Sequence, residues 1–306
     1  MSQPISPGEA PWRIGRREPL PAPRDVVWRL LTEPAEIARW LAPRAEVRLD
    51  APPLRYAFFG PTVFGTRDRS DDEIAARAEN FAVLACEPEA LLVFRWWVGD
   101  SPTTVRFELH DHLGGTDLRV AQWADEAIDW PASPDEPNWW WIHLAALRSV
   151  LETGTADLLV DWESLPGSSE LAFALPISTF PWIIWSKLVV AEELSRWAGK
   201  ETKVDLDEGI YRYQSHAGQP RGKLEHVPEE RLVLDWQWPD GRATRREWTI
   251  RETDEDTIVR LADLGPWNAA DRVTVERVAA SLATTLIALR EISQRGITPR
   301  EHEWEP

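Results

Sequence analysis

The sequence predicts an α+β protein made of two tandem copies of one domain, each a twisted antiparallel sheet closed over a long C-terminal helix. Three observations predict it. Four blocks of residues recur in the same order along the chain; several runs alternate apolar and polar residues with a period of two; and a run near the end of each copy places its apolar residues at helical spacing.

The first block repeats without a gap. Trp28, Leu31, Glu36, Arg39 and Trp40 recur as Trp185, Leu188, Glu193, Arg196 and Trp197, each 157 positions later. The second pairs Pro88, Glu89, Leu92, Val93 and Trp96 with Pro228, Glu229, Leu232, Val233 and Trp236, each 140 positions later. The third pairs Phe107, Leu109, Thr116, Leu118 and Val120 with Trp248, Ile250, Thr257, Val259 and Leu261. The fourth pairs Leu144, Ala146, Leu147, Arg148 and Gly154 with Leu286, Ala288, Leu289, Arg290 and Gly296. The drop in offset from 157 to 140 gives the first copy 17 extra residues between Trp40 and Pro88, and the polar run 67–73 within them reads as an exposed loop. The blocks place a first domain over residues 10–155, a linker over 156–169, a second domain over 170–296 and an acidic tail over 297–306.

Within each copy the elements follow from local chemistry. Pro23 opens a short helix, because proline suits a first turn, and Pro34 starts a second over 35–40. Leu92, Phe94 and Trp96 share one strand face, with Arg95 on the other. Leu232, Leu234, Trp236 and Trp238 do the same opposite Asp235 and Gln237. Val105, Phe107 and Leu109 point one way, and Arg106, Glu108 and His110 the other. This alternation marks antiparallel strands with one covered face. Gly114-Gly115 and residues 254–256 sit at matching hairpin turns. Trp140, Leu144, Leu147 and Leu151 then form a helical stripe, as do Val278, Leu282, Leu286 and Leu289, and Gly154 and Gly296 stop the two helices. A helix with an apolar stripe and a sheet with an apolar face bury both by packing together.

Composition limits the function. Thirty-four basic against 51 acidic residues leave a net charge of −17. That field repels nucleic-acid phosphates and anionic lipid headgroups, so neither nucleic acid nor membrane is expected as a partner. Cys86 is the single cysteine, so no disulfide forms within the chain, and its apolar setting reads as a small buried hydrophobe. The first twelve residues hold three prolines and no apolar core, unlike a secretory signal, and no stretch reaches the length of a membrane span. A cytoplasmic location is the expectation. Nineteen tryptophans demand either a large core or a surface to stack against.

The run of residues 22–40, then Glu87 to Trp97 ("EPEALLVFRWW"), then residues 105–120, then a Trp-led terminal helix resembles the activator-of-heat-shock-protein-90-ATPase-like branch of the START-like, helix-grip superfamily, also called SRPBCC. The second copy resembles it more weakly, because Val190-Ala191 stands where the family has an acidic-proline turn. The resemblance covers most of residues 12–154 and 170–296. It implies two tandem helix-grip domains, each a curved antiparallel sheet wrapped around the C-terminal helix, often with a hydrophobic cavity between them. Its members include ligand carriers, chaperone-activating domains and polyketide aromatase/cyclases, and fold alone does not choose among these.

The candidate ligand-binding residues are the aromatics of the inner faces: Tyr56, Phe58, Trp96, Phe107 and Trp140 in the first copy, and Tyr211, Tyr213, Trp236 and Trp248 in the second. They either line a pocket for an apolar or aromatic small molecule or fill the core. Tyrosine tilts the reading toward a pocket, because a buried hydroxyl needs a partner and can orient a ligand. The repeated Arg39-Trp40 and Arg196-Trp197 pairs read as structural, with Trp packing on the sheet and Arg capping or snorkelling. His110 and His112 share an outward strand face with no third ligand in sight, so no metal site is expected. His143 could reach the cavity as a general base but reads better as a core or surface histidine. No phosphate loop, nucleophile elbow or cofactor signature is present, so no cofactor and no catalytic residue is expected.

These readings favour a non-enzymatic module holding a hydrophobic small molecule between sheet and helix. An aromatase/cyclase-like enzyme of two such domains is the alternative, and it requires polar groups inside the cavity. A chaperone-activator role, with a protein partner of unspecified kind, is the third. The extra loop of the first copy, placed to cover a cavity mouth, predicts that the copies differ in pocket size.

Overall fold

The computed structural model describes residues 12–42, 44–59, 81–98, 101–124, 139–156, 165, 167–198, 200–214, 218–267, 270 and 272–297. The chain forms two compact units. The first comprises β1 (Trp12–Leu20), α1 (Arg24–Thr32), α2 (Pro34–Ile37), β2 (Arg44–Arg48), β3 (Arg55–Phe59), β4 (Val83–Glu87), β5 (Leu91–Val98), β6 (Ser101–His112), β7 (Gly115–Ala124) and α3 (Trp139–Thr153). The second repeats that order as β8 (Glu170–Ile177), α4 (Pro181–Val189), α5 (Ala191–Trp197), β9 (Lys200–Asp205), β10 (Ile210–Gln214), β11 (Gln219–Val227), β12 (Arg231–Gln237), β13 (Ala243–Glu252), β14 (Thr257–Leu264) and α6 (Arg272–Arg295).

The two sheets are topologically equivalent. Strand order is β1-β7-β6-β5-β4 in the first and β8-β14-β13-β12-β11 in the second, all antiparallel, and each unit adds a two-stranded ribbon, β2-β3 or β9-β10. The hairpins entering β5 and β12 carry the paired residues Glu89 and Glu229, which share the left-handed backbone at φ 59° and 62°. Non-glycine residues adopt that conformation rarely, so its recurrence at equivalent positions is a strong mark of a shared turn. Gly115 opens β7 because a Cβ there would stand 2.0 Å from the Leu20 carbonyl oxygen, closer than any side chain tolerates.

Helix ends follow the expected chemistry with small shifts. Pro23 stands just outside α1 as its N-cap, and Pro34 begins α2, which ends at Ile37 rather than continuing to Trp40. The chain from Ala38 to Leu41 continues as turns. Gly154 and Gly296 terminate α3 and α6 with φ 86° and 69°, and their amides return to the Val150 and Ile292 carbonyls.

Apolar faces meet as the patterning requires. Trp96 and Trp236 are both 1% exposed on the inner faces of their sheets. α6 packs on β8 and β14, and buries Val278, Leu282, Leu286 and Leu289 while Ser281, Thr284 and Thr285 are only partly covered. α3 packs on β1 and is buried at every position from Trp140 to Leu147, well beyond the expected single stripe. That segment has no charged side chain before Arg148, so no face of it requires water. Cys86 lies on the edge strand β4 and is partly covered, less deeply than its sequence setting suggests. No described helix is long and apolar enough to cross a membrane. The charged run 67–73 lies outside the described residues.

Candidate functional site

In the first unit the inward aromatic residues meet ring to ring. Tyr56, Phe58 and Phe107 are fully buried, as is Trp140 on α3. The Phe58 and Trp96 rings are 3.5 Å apart, Tyr56 and Phe94 4.4 Å, and Phe107 and Trp140 5.3 Å. Several polar atoms within this core are paired across elements. Tyr56 donates to the Leu31 carbonyl at 2.5 Å and Trp40 to the Leu30 carbonyl at 2.9 Å. Trp140 Nε1 donates to Gln122 Oε1 at 3.0 Å, Gln122 Nε2 to Thr103 Oγ1 at 2.9 Å, and Thr103 to the Trp96 carbonyl at 3.1 Å. This chain of bonds crosses from helix to sheet and satisfies every group in it.

The second unit keeps the frame and changes the middle. Tyr211 donates to the Leu188 carbonyl at 2.6 Å and Trp197 to the Lys187 carbonyl at 3.0 Å, matching Tyr56 and Trp40. Cross-strand partners Val105 and Gln122 of β6 and β7 are replaced by Arg246 and Asp263 of β13 and β14. Phe58 is replaced by Tyr213. An apolar and amide interior thus becomes an ionic one. Arg246 and Asp263 side chains are 2% and 0% exposed, and both Nε and Nη2 of Arg246 face Asp263 Oδ2 at 3.3 and 3.2 Å. The Arg246 guanidinium carbon lies 3.6 Å from the Trp236 ring centre and 5.0 Å from that of Trp238, within cation–π range. Trp238 donates to Thr244 Oγ1, and Trp267 to the Asp263 backbone carbonyl, each at 3.0 Å. Gly265 admits this packing, since a Cβ there would stand 2.6 Å from Thr244 Cγ2.

Electrostatics follow from burial. Desolvation pushes the Asp263 carboxyl above the usual carboxylate range, against the pull of Arg246 and of hydrogen bonds from Thr244, Arg246 and Trp238. Burial drives the Tyr213 hydroxyl up to about 12 although Arg246 opposes it through charge and a hydrogen bond, and Tyr211 rises well above the ordinary tyrosine value. Both phenols therefore stay protonated; Tyr211 donates, and the Tyr213 oxygen accepts from Arg246. The surroundings of Arg246 are also slightly open. Tyr213 and Thr244 keep 7% of their surface and Trp238 keeps 6%, whereas Phe58 and Thr103 keep none.

All nine aromatics singled out from the sequence are buried on the predicted inner faces, in two separate clusters. Trp248 contacts Trp197 edge-on at 6.4 Å, at the far side of Arg246 from Trp238 along β13. Arg246, Asp263 and Trp267 were outside that set. The alternation that turns Trp248 inward also turns Arg246 inward, two residues earlier, and the third repeat block, extended by two residues, makes Asp263 the equivalent of Gln122. Arg39, in the turn after α2, binds Glu36 of that helix, Arg196 binds Glu193 on its own helix α5, and Arg39 also donates to the Gly154 carbonyl at the end of α3. His110 and His112 are exposed, and no metal-binding cluster occurs among the described residues.

His143 lies in the core of the first unit, 6% exposed. Burial lowers its pKa to about 4, with a backbone hydrogen bond at Trp40 acting weakly the other way. The folded unit therefore keeps this imidazole neutral where the unfolded chain would protonate it. Stability from this group is complete above pH 6.5 and is lost as pH falls toward 4, by on the order of 3 kcal/mol. Urea titrations of the first unit at pH 7 and pH 4.5 are expected to show that loss, and His143→Gln to flatten it.

Comparison with known proteins follows the repeat. The family model for "Activator of Hsp90 ATPase homolog 1-like protein" matches the chain twice, over residues 21–152 and 180–292. The chain belongs to this family. Its members are helix-grip domains, and this activator-of-Hsp90-ATPase-like protein carries two in tandem. No curated protein matches it. Among solved structures, DynU16 of the dynemicin biosynthetic locus is 20% identical, covering 92% of this chain and 98% of its own, with a TM-score of 0.36. The Aha1 dimer from Colwellia psychrerythraea is 14% identical over 42% of this chain and 98% of its own, with a TM-score of 0.36. An activator-like protein from Rhizobium etli is 21% identical over 43% and 85%, with a TM-score of 0.34.

Proposed function

We propose that this protein is a small-molecule-binding member of its family, that its second domain is the binding domain, and that its first is a filled scaffold. One observation carries this reading: the buried Arg246–Asp263 pair, stacked on Trp236. The first domain serves as an internal control. It builds the same sheet with Val105 and Gln122 at those positions, so the fold has no need of a charge there. Bringing two charges out of water costs several kcal/mol each, and pairing at 3.2–3.3 Å is long for a charge-assisted bond. A feature that costs stability and that the fold can omit points to use.

The occupant is an apolar or aromatic molecule of modest size, bound between the sheet and α6 against Tyr213, Trp236 and Trp238. Apolar burial supplies the affinity, roughly 25 cal/mol per Å² before association costs. Binding is favoured over proton-transfer catalysis, because a working acid or base sits near the operating pH. Tyr211 and Tyr213 are driven away from that range, and Asp263 is engaged by Arg246. Titrating the full chain with the neutral dye Nile red is expected to saturate at one molecule per chain. Tyr213→Trp, which fills the open edge, is expected to abolish the signal. Binding that does not saturate, or that Tyr213→Trp leaves intact, would overturn the assignment.

A further inference from the structure

We infer that Tyr213 and Arg246 together recognise a single neutral carbonyl oxygen on a flat conjugated ring, and that the same site turns carboxylates away. The inference rests on the second domain being the binding domain. It follows from how the guanidinium is shared. A carboxylate is held best by two parallel N–H groups of one arginine. In this site Nε and Nη2 are both directed at Asp263 Oδ2, so the edge of Arg246 that would clamp a ligand carboxylate is committed. A ligand carboxylate would also sit beside Asp263, and two carboxylates sharing a dry site repel.

What remains suits one acceptor atom. Nη1 takes no part in the Asp263 contact, and the Tyr213 hydroxyl, held protonated by burial, is hydrogen-bonded to Arg246 and keeps its own proton to donate. One carbonyl oxygen has two lone pairs and can accept from both groups. Flat aromatic surface is provided around them: the Tyr213 and Trp236 rings are 5.7 Å apart and Trp236 and Trp238 6.2 Å. Of the residues that retain some open surface, Tyr213 and Trp238 contact Arg246, and Thr244 hydrogen-bonds its partner Asp263. A conjugated ketone presents its oxygen to the donors and its ring to the aromatic walls.

Three probes of nearly equal size separate the alternatives: 2-acetonaphthone, 2-ethylnaphthalene and 2-naphthoate, each measured by equilibrium dialysis against the full chain. The ketone is expected to bind about tenfold more tightly than the hydrocarbon, the worth of roughly one good hydrogen bond. The carboxylate is expected to bind least. Tyr213→Phe is expected to weaken the ketone about fivefold and leave the hydrocarbon unchanged; the first domain carries Phe58 at this position, so the fold accepts the change. Equal affinity for ketone and hydrocarbon, or tightest binding of 2-naphthoate, would overturn the inference while leaving a binding domain in place. Saturable binding of none of the three would overturn both.

Discussion

Arg246→Val is expected to destabilise the second unit by about 3–5 kcal/mol, whereas Arg246→Val combined with Asp263→Gln is expected to return it to within about 1 kcal/mol of the parent. The single change leaves Asp263, fully buried, with no cation beside it. A charge stranded in that way costs far more than the intact pair returns. The double change copies the Val105 and Gln122 of the first unit into the same cross-strand register. Hydrogen exchange of the β13 and β14 amides reads the second unit alone. The single variant is expected to exchange roughly hundreds to thousands of times faster and the double variant within about fivefold of the parental rate. A single variant as stable as the parent would show that the pair is not buried as described.

The second large effect belongs to the first unit. Trp140→Ala is expected to cost about 3–5 kcal/mol, since it removes a fully buried ring and leaves a cavity at the junction of α3 and β6. Trp140→Phe keeps most of the packing but deprives Gln122 Oε1 of its donor, so about 1–3 kcal/mol is expected. Urea unfolding followed by exchange of the β6 and β7 amides separates the two. Equal losses for Ala and Phe would mean that the hydrogen-bond chain, rather than ring packing, dominates this junction.

Much of this fold was legible because the two periodicities and the internal repeat report on the same surfaces. Trp96 and Trp236 had to face inward once Arg95 and Asp235 were on the opposite face, and both do. Gly154 and Gly296 stop their helices with left-handed backbones, as glycine permits without a Cβ penalty. Less legible was the extent of burial around α3, because a helical stripe predicts one covered face and says nothing of the rest.

The candidate site was half legible. Aromatic residues announce an inner face by their size, so the two clusters emerged from the sequence, but size does not tell a filled core from a lined pocket. Arg246 and Asp263 escaped because charge at a strand position is ordinarily read as outward. The repeat held the missing signal: at positions fixed by Phe107 with Trp248 and Val120 with Leu261, one copy has Val and Gln where the other has Arg and Asp. Comparing the copies residue by residue, rather than searching each for hydrophobic pattern, exposes the difference.

On the proposed reading, Tyr213, Arg246 and Asp263 serve binding and are dispensable for folding. Isothermal titration of 2-acetonaphthone into the parent and into the triple variant Tyr213→Phe, Arg246→Val, Asp263→Gln tests it most directly. One site per chain in the parent, and a folded triple variant with no measurable heat of binding, is the result predicted. A triple variant that binds the ketone as tightly as the parent would contradict it.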